Sequence, residues 1–288
     1  MIIGHKKQWQ FLKKISETGN ISHAFLFSGQ EKLGKKKVAT EWISSLFGQD
    51  IEKKTHPDFT IIEPAGKEIQ IGQIKELIRG LSLKPYSAPF KAVLIDKAHL
   101  MNSEAQSSLL KTLEEPKGNT LLILVSEEPS RLLPTIISRV QTVKFYPVAV
   151  EEMRKGLGGK EIVSEEIFNI SLGSPGQALD LTLDNQKKSD FDKKFREIEN
   201  ISKSDLYQKF EYVKTLTEDT VDLKEILKIW ASYFRNVLIS KILGKKEGNY
   251  SLEKTKNILY SIQSANYLIS NTNVNSRLLL ETLMVELN

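Results

Sequence analysis

Glycine and lysine residues in one short segment have the spacing of a phosphate-binding loop. Residues 29–36 read Gly-Gln-Glu-Lys-Leu-Gly-Lys-Lys, with Gly29, Gly34 and Lys35 at the positions that such a loop requires. Glycines let backbone N–H groups wrap a phosphate, and the lysine reaches the outer phosphates. A Ser or Thr that holds Mg²⁺ normally comes next, but Lys36 stands there and offers no oxygen. The segment predicts either a P-loop that handles metal poorly or an exposed lysine-rich turn.

Two predicted strand ends would supply further groups to such a site. The apolar run of residues 92–95 ends in Asp96, where ATP-hydrolysing proteins of this type place a carboxylate that orients the metal. A Glu that activates water follows in those enzymes, whereas Lys97 follows here and would repel Mg²⁺. Asp96 could instead simply cap the next helix. Ser126 follows the apolar run of residues 121–125 and would place a hydroxyl at a buried strand end, where Ser is common.

Alternating apolar runs and helical stretches indicate the elements that would position these groups. Five strands are predicted, at residues 24–28, 59–62, 92–95, 121–125 and 142–145. Helices are predicted at 35–47, at 71–83 and from Ser103, read as an N-cap with Gln106 at the capping-box position. Continuous apolar strands between helices are typical of a parallel sheet covered on both faces, so the fold class is α/β.

Beyond Pro147 the pattern is helical throughout. The predicted elements are helices at 150–157, 164–172 and 177–183, a polar hinge at 187–190, a long helix at 223–243 and a polar break at 244–249. Four aromatic residues in this part have helical spacing and are expected in a core or an oligomer interface rather than stacked on bases: Trp230, Tyr233, Phe234 and Tyr267.

This pattern predicts three domains. They are an α/β P-loop-like domain (1–147), a small helical lid domain (148–186) and an all-helical C-terminal domain (187–288).

Composition excludes several chemistries. The 288 residues include no Cys, so disulfides, thiolate nucleophiles and cysteine-based zinc sites are excluded. The four His are scattered without ligand spacing, and we expect no metal. Residues 1–47 contain eight Lys and three Glu, and their net charge of +5 equals that of the whole chain. No secretory signal or membrane-spanning run is visible, so we expect a cytoplasmic protein without membrane contact.

The local positive charge has two interpretations. Lys32 and residues 35–37 form a dense cluster that could bind a phosphate or a DNA backbone. The lysines of residues 6–14 are interpreted as a solvated helix face.

Further motifs resemble one protein family. Residues 107–116 read Ser-Ser-Leu-Leu-Lys-Thr-Leu-Glu-Glu-Pro, and residues 134–140 read Pro-Thr-Ile-Ile-Ser-Arg-Val. Supporting segments are Gly4-His5, residues 23–27, His56-Pro57-Asp58, residues 173–179 and residues 275–281. Over nearly its whole length the chain resembles the clamp-loader branch of the AAA+ family, and most closely the delta-prime type of bacterial DNA polymerase III.

The resemblance implies a place in a five-subunit ring. Such a ring opens a sliding clamp and places it on primed DNA, with the C-terminal domains forming a collar. The implied partners are gamma/tau and delta subunits, the sliding clamp and primed-template DNA. ATP would be bound by neighbouring subunits, and whether this chain binds nucleotide is left open.

Arg139 carries the implied chemistry. Ser138 and Arg139 match the first two residues of a Ser-Arg-Cys motif, whose third residue is Val140 here. The resemblance implies that Arg139 acts in trans as an arginine finger, neutralising charge on the phosphoryl group of a neighbour's ATP. The alternative is a helix-end arginine with a local carboxylate partner. Gly176 lies near the position where motor subunits place an arginine that senses their own nucleotide. The resemblance also gives Ser126 the position of the polar residue that senses the terminal phosphate. The family's four-cysteine zinc module is missing.

The function predicted is therefore that of a non-hydrolysing stator subunit. One alternative is a catalytically active gamma/tau-type ATPase subunit. Another is an adaptor that binds primer–template DNA through its basic N-terminal region.

Overall fold

The computed structural model describes residues 2–51, 56–116, 118–157, 163, 165–218, 222–244 and 250–288. Contacts group the chain into two compact units, Met1–Glu161 with Gly173–Gly176, and Ile162–Leu172 with Gln177–Asn288. The three-domain division with boundaries after residues 147 and 186 stays a prediction.

The first unit is built on a parallel sheet. Its strands are β1 (Ala24–Ser28), β2 (Phe59–Ile62), β3 (Lys91–Ile95), β4 (Thr120–Ser126) and β5 (Gln141–Lys144). They lie in the order β2-β3-β4-β1-β5, and every neighbouring pair is parallel. The predicted parallel sheet is confirmed, and each strand lies within one residue of its predicted bounds.

Helices cover both faces of this sheet. The helices of the first unit are α1 (Lys6–Thr18), α2 (Lys35–Phe47), α3 (Ile71–Leu81), α4 (Ser103–Glu114), α5 (Pro134–Ile137) and α6 (Val150–Leu157), with single-turn helices at Ala98–Leu100 and Pro129–Arg131. Phe25 and Phe27 pack in one core cluster with α1 and α2, whereas Leu26 packs in the other with α3, α4 and α5. Because successive strand residues point to opposite faces, a strand between two helical layers has to be apolar throughout.

The second unit consists of helices in the part of the chain that the structure describes. They are α7 (Glu165–Ile170), most of α8 (Pro175–Leu183), α9 (Asn185–Lys203), α10 (Leu206–Glu218), α11 (Leu223–Ile242), α12 (Leu252–Asn271) and α13 (Ser276–Glu286). Trp230, Tyr233 and Phe234 lie in its core, as predicted. Tyr267 is 59% exposed. Within the described ranges, none of the helices is long and apolar enough to cross a membrane.

The start of α4 differs from its prediction. Asn102, not Ser103, is the N-cap, and its side chain accepts a hydrogen bond from the Ala105 N–H at 2.9 Å. Gln106 is buried and bonds to loop backbone instead of completing a capping box. Asn and Ser cap helices about equally well, so the sequence alone does not separate two adjacent candidates.

The predicted hinge at residues 187–190 is wrong. These residues lie inside α9, which begins after Asp184, and the Asp184 side chain caps it by accepting from the Lys187 N–H at 3.0 Å. A polar run with a good N-cap propagates as an exposed helical turn. Residue 164 of a predicted helix and residues 245–249 of the predicted break lie outside the described residues.

Candidate functional site

The parallel sheet brings the carboxyl ends of three strands to one edge. The loop of residues 29–34 follows β1, Asp96 follows β3, and Glu127 follows β4. Together they border a cleft of about 590 Å³. Its lining residues are Glu31, Lys32, Gly34, Lys35, Lys36, Lys37, Thr40, Ile51, Phe59, Ile61, Asp96, Lys97, Val125, Glu127 and Gly176. Ligands in open α/β sheets bind at this edge, so the cleft is the candidate site.

The loop after β1 depends on glycine at its first position. Gly29 has φ 148°, and a Cβ there would lie 2.4 Å from the backbone oxygen of Phe145. Gly34 has φ 92° and is the N-cap of α2. His5 supports the loop from outside, since its Nε2 lies 2.8 Å from the carbonyl oxygen of Leu33. The local fold is therefore that of a P-loop leading into a helix, as the glycine spacing predicts.

Lys35 is buried and bonded to the loop itself. Its Nζ donates to the carbonyl oxygens of Gly29 at 2.8 Å and Gln30 at 2.5 Å, and lies 4.0 Å from Glu127 Oε1. Burial lowers the pKa of Lys35, and the carboxylates of Glu127 and Asp96 oppose that shift. The ammonium group ties the two ends of the loop together.

Lys36 reaches across the cleft to carboxylates. Its Nζ lies 2.5 Å from Glu63 Oε1 and 3.7 Å from Asp96 Oδ2. Burial lowers the pKa of Lys36, but the hydrogen bond to Glu63 and the charge of Asp96 outweigh it and leave the pKa raised. Lys36 is therefore a fixed positive charge beside Asp96.

These residues do not fit a magnesium ion. Mg²⁺ requires oxygen ligands in near-octahedral geometry, and Lys36 supplies only N–H donors. Asp96 is already engaged, because its Oδ1 accepts from the Lys97 N–H at 3.0 Å and its Oδ2 faces Lys36. Over the described ranges, no group of three or more His, Asp or Glu is arranged to hold a metal ion.

Ser126, the last residue of β4, and Glu127, which follows it, have different surroundings. Ser126 is fully buried, and its Oγ has no hydrogen-bond partner among the residues that the structure describes. It does not line the cleft, whereas Val125 and Glu127 on either side of it do. Glu127 was not singled out from the sequence, although its place directly after a buried strand was an available signal. Burial raises the pKa of Glu127, with the charge of Lys35 opposing, and its Oε2 lies 3.4 Å from His99 Nε2.

Gly176 is packed against the loop. Its N–H donates to the carbonyl oxygen of Lys32 at 2.9 Å, and a Cβ on Gly176 would lie 2.9 Å from that oxygen. The backbone at this position thus approaches too closely to admit a long side chain such as arginine.

Arg139 and Ser138 lie apart from the residues that line the cleft. Arg139 follows α5, and its Nη1 donates to Thr135 O at 2.9 Å and to Ser138 Oγ at 3.3 Å. Its Nη2 lies 2.7 Å from Glu114 Oε1 at the end of α4, and the side chain is 34% exposed. The local carboxylate partner considered as the alternative is therefore present, and the guanidinium group also remains accessible.

The sheet order, the P-loop and the helical second unit define a P-loop α/β protein of the AAA+ type. The family described as DNA polymerase III, delta subunit, matches residues 4–149. This match covers half of the chain, which therefore belongs to that family. The chain is delta-prime-like, because it is similar in sequence to curated delta-prime subunits.

Two curated relatives are delta-prime subunits of DNA polymerase III. That of Pseudomonas aeruginosa is 35% identical over 176 residues, covering 54% of this chain and 54% of the relative. That of Bacillus subtilis is 36% identical over 146 residues, covering 46% of this chain and 44% of the relative. The chain spans about half the length of the curated relatives that it matches.

A solved structure shows the same fold. It is a DNA polymerase III gamma subunit-related protein from Thermotoga maritima, with a TM-score of 0.56 and 19% identity, and the match covers 96% of this chain and 98% of that one.

Proposed function

We propose that this chain is a non-hydrolysing, stator-type subunit of a replicative clamp loader and that Arg139 acts on ATP held by a neighbouring subunit. The observation that carries the proposal is the position of Lys36, whose ammonium lies 3.7 Å from Asp96 and is bonded to Glu63. A lysine thus occupies the place where a hydrolysing P-loop protein needs a hydroxyl and a metal ion. Membership of the DNA polymerase III delta family supports the clamp-loader role.

A second lysine supports the absence of hydrolysis. ATP hydrolysis by P-loop proteins needs a group that positions the attacking water. In hydrolysing proteins of this type that group is the carboxylate of a Glu directly after the Asp. Lys97 follows Asp96 here, and its ammonium group cannot accept a proton. The two lysines remove two different requirements of the reaction.

The surroundings of Arg139 are compatible with action in trans. An exposed ion pair contributes only about 0–1 kcal/mol, so exchanging Glu114 for a phosphate oxygen costs little. Glu114 is itself 48% exposed. Arg139 follows the short helix α5. Its N-cap residue, Leu133, is fixed by a hydrogen bond from its N–H to Gln106 Oε1 at 2.8 Å. A positioned, accessible guanidinium group is what stabilisation of a transferring phosphoryl group requires.

The proposed partners are gamma/tau-type and delta subunits, a sliding clamp and primed-template DNA. The helical unit offers apolar side chains for subunit contact, with Ile242 66%, Leu243 69% and Leu278 62% exposed. A cytoplasmic location stays a prediction.

The test is a clamp loader reconstituted with the Arg139→Ala chain. We expect the complex to assemble while its DNA-stimulated ATPase rate and clamp loading fall, because one ATP site loses an arginine worth roughly 10³-fold or more in rate. Arg131→Ala is the matched control, since Arg131 is paired with Glu128 at 3.8 Å on a neighbouring surface segment. Arg139→Lys separates charge from guanidinium geometry. An Arg139→Ala loader that assembles and retains the full rate contradicts the trans role.

A further inference from the structure

The lining of the cleft is rich in lysine. Among its lining residues are five Lys against three acidic side chains: Lys32, Lys35, Lys36, Lys37 and Lys97, with Glu31, Asp96 and Glu127. A cleft with an excess of one charge attracts ligands of the opposite sign. The volume of about 590 Å³ is that of a small-molecule site rather than of a single phosphate.

Lys36 lies close to the carboxylate that holds Mg²⁺ in other P-loop proteins. It is the second residue of α2, adjacent to the loop of residues 29–34, and its Nζ lies 3.7 Å from the first carboxylate after β3. In a magnesium-dependent P-loop, the ion sits between that carboxylate and the phosphate chain. Here the Lys36 ammonium lies beside that carboxylate, and it belongs to a side chain of the protein itself.

The ammonium keeps bonding capacity for a ligand. A lysine has three N–H donors, and Glu63 and Asp96 take up two at most. At least one N–H donor of Lys36 is therefore left for a ligand. Lys36 stays protonated because Glu63 and Asp96 together raise its pKa against the effect of burial.

We propose that Lys36 is a built-in counter-ion and that this cleft binds a polyphosphate chain, of a nucleotide or of inorganic polyphosphate, without a divalent metal. The backbone N–H groups of the loop of residues 29–34 hold the phosphates, and Lys36 joins them to Asp96 as Mg²⁺ does in other P-loops. Added Mg²⁺ gains no oxygen ligand from residue 36 and competes with an ion pair already formed at Asp96. The inference concerns this chain alone, so it stands or falls separately from the trans role of Arg139.

The experiment measures binding of ATP and of tripolyphosphate to the full chain by calorimetry, in EDTA and in excess Mg²⁺. Wild-type protein is expected to bind in EDTA, with Mg²⁺ changing the Kd by less than about threefold. If both ligands bind, the polyphosphate chain is sufficient for recognition. If only ATP binds, the nucleoside contributes to the affinity as well. Either result supports the proposal.

Substitutions at Lys36 and at a lysine outside the cleft provide the decisive comparison. Lys36→Thr restores a hydroxyl, so binding in EDTA should weaken about tenfold and become Mg²⁺-dependent. Lys36→Met, without an oxygen, should weaken binding in both conditions. Lys13→Thr is the matched control, because Lys13 lies on the exposed face of α1 and does not line the cleft, so this variant should bind like the wild type.

Three results would overturn the proposal. They are no wild-type binding in EDTA, wild-type binding that requires Mg²⁺, and a Lys36→Thr protein that binds like wild type. Lys36 is 42% exposed, so these variants are expected to fold, and their circular dichroism and melting temperature establish it.

Discussion

At the scale of single residues, Asp58 shows how a buried carboxylate organises a loop. Its Oδ1 accepts from the Tyr86 N–H at 2.7 Å, and its Oδ2 accepts from the N–H groups of Ser87 at 2.8 Å and Ala88 at 2.9 Å. Burial raises the pKa of Asp58, but the three backbone N–H groups outweigh burial and leave it lowered. The His56-Pro57-Asp58 segment thus holds the loop before β3 and has no part in the cleft.

Replacing this carboxylate should reveal its contribution through pH. Asp58→Asn is expected to lower the free energy of unfolding by about 1–3 kcal/mol at pH 7, because an amide cannot accept all three bonds. The folded-state pKa of Asp58 lies below its usual value of about 4, so its stabilisation is present above about pH 4 and is lost as the pH falls through the folded pKa. Urea unfolding should therefore show the gap between the two proteins narrowing as the pH falls below about 4.

The control for this measurement is Glu76→Gln, on the exposed face of α3. Its urea midpoint should follow that of the wild type at every pH. A gap for Asp58→Asn that stays constant down to pH 3 would show that its effect does not come from the ionised carboxylate.

The sequence predicts single residues well where a local motif sets their place. Gly29, Gly34 and Lys35 could be assigned because a strand, a glycine loop and a helix follow one another directly in the chain. Glu127 had a comparable local signal, its place directly after a buried strand, whereas the approach of Glu63 to Lys36 depends on which strands are neighbours in the sheet. The spatial order of parallel strands is a property of the whole fold that local pattern does not contain.

At the scale of elements, α4 connects the cleft side of the sheet with the segment that carries Arg139. Gln106 of α4 is buried, and its Nε2 donates to Met101 O at 3.1 Å and to Arg131 O at 3.2 Å. Its Oε1 accepts from the Leu133 N–H at 2.8 Å, at the N-cap of α5. One side chain therefore sets where α5 begins.

Removing these bonds should destabilise the first unit. Gln106→Leu keeps the approximate size of the side chain but leaves three backbone groups without their partner, so the free energy of unfolding should fall by about 1–3 kcal/mol. Ser107→Ala, on the exposed side of the same helix, should change it by less than about 0.5 kcal/mol. Denaturant unfolding of the two variants checks this. Equal midpoints for Gln106→Leu and the wild type would show that the three bonds contribute nothing.

Element boundaries were predictable only where the residue types of a segment are compatible with a single kind of element. The apolar runs located each strand to within a residue, since no other element buries so short a stretch on both faces. The predicted N-cap of α4 and the predicted hinge at 187–190 were wrong, because neighbouring polar residues there can serve equally as cap, turn or exposed helix.

At the scale of the whole molecule, an AAA+ fold is combined with lysines at two positions that ATP hydrolysis needs. Lys36 and Lys97 leave the fold of the first unit intact, since both are surface groups of the cleft. The fold class followed from the sequence because strand and helix patterns alternate over the first half of the chain. The proposed action of Arg139 in trans requires this scaffold but no hydrolysis by this chain.

The most direct test of this account is the rate of Mg-ATP hydrolysis by the isolated chain. Lys35→Ala is the reference, because removing the P-loop lysine abolishes any turnover that belongs to this cleft. Wild type and Lys35→Ala are expected to show the same background rate of phosphate release, because Lys36 and Lys97 stand where hydrolysis needs a hydroxyl and a carboxylate. Turnover by the wild type that Lys35→Ala removes would contradict it and indicate an active motor subunit.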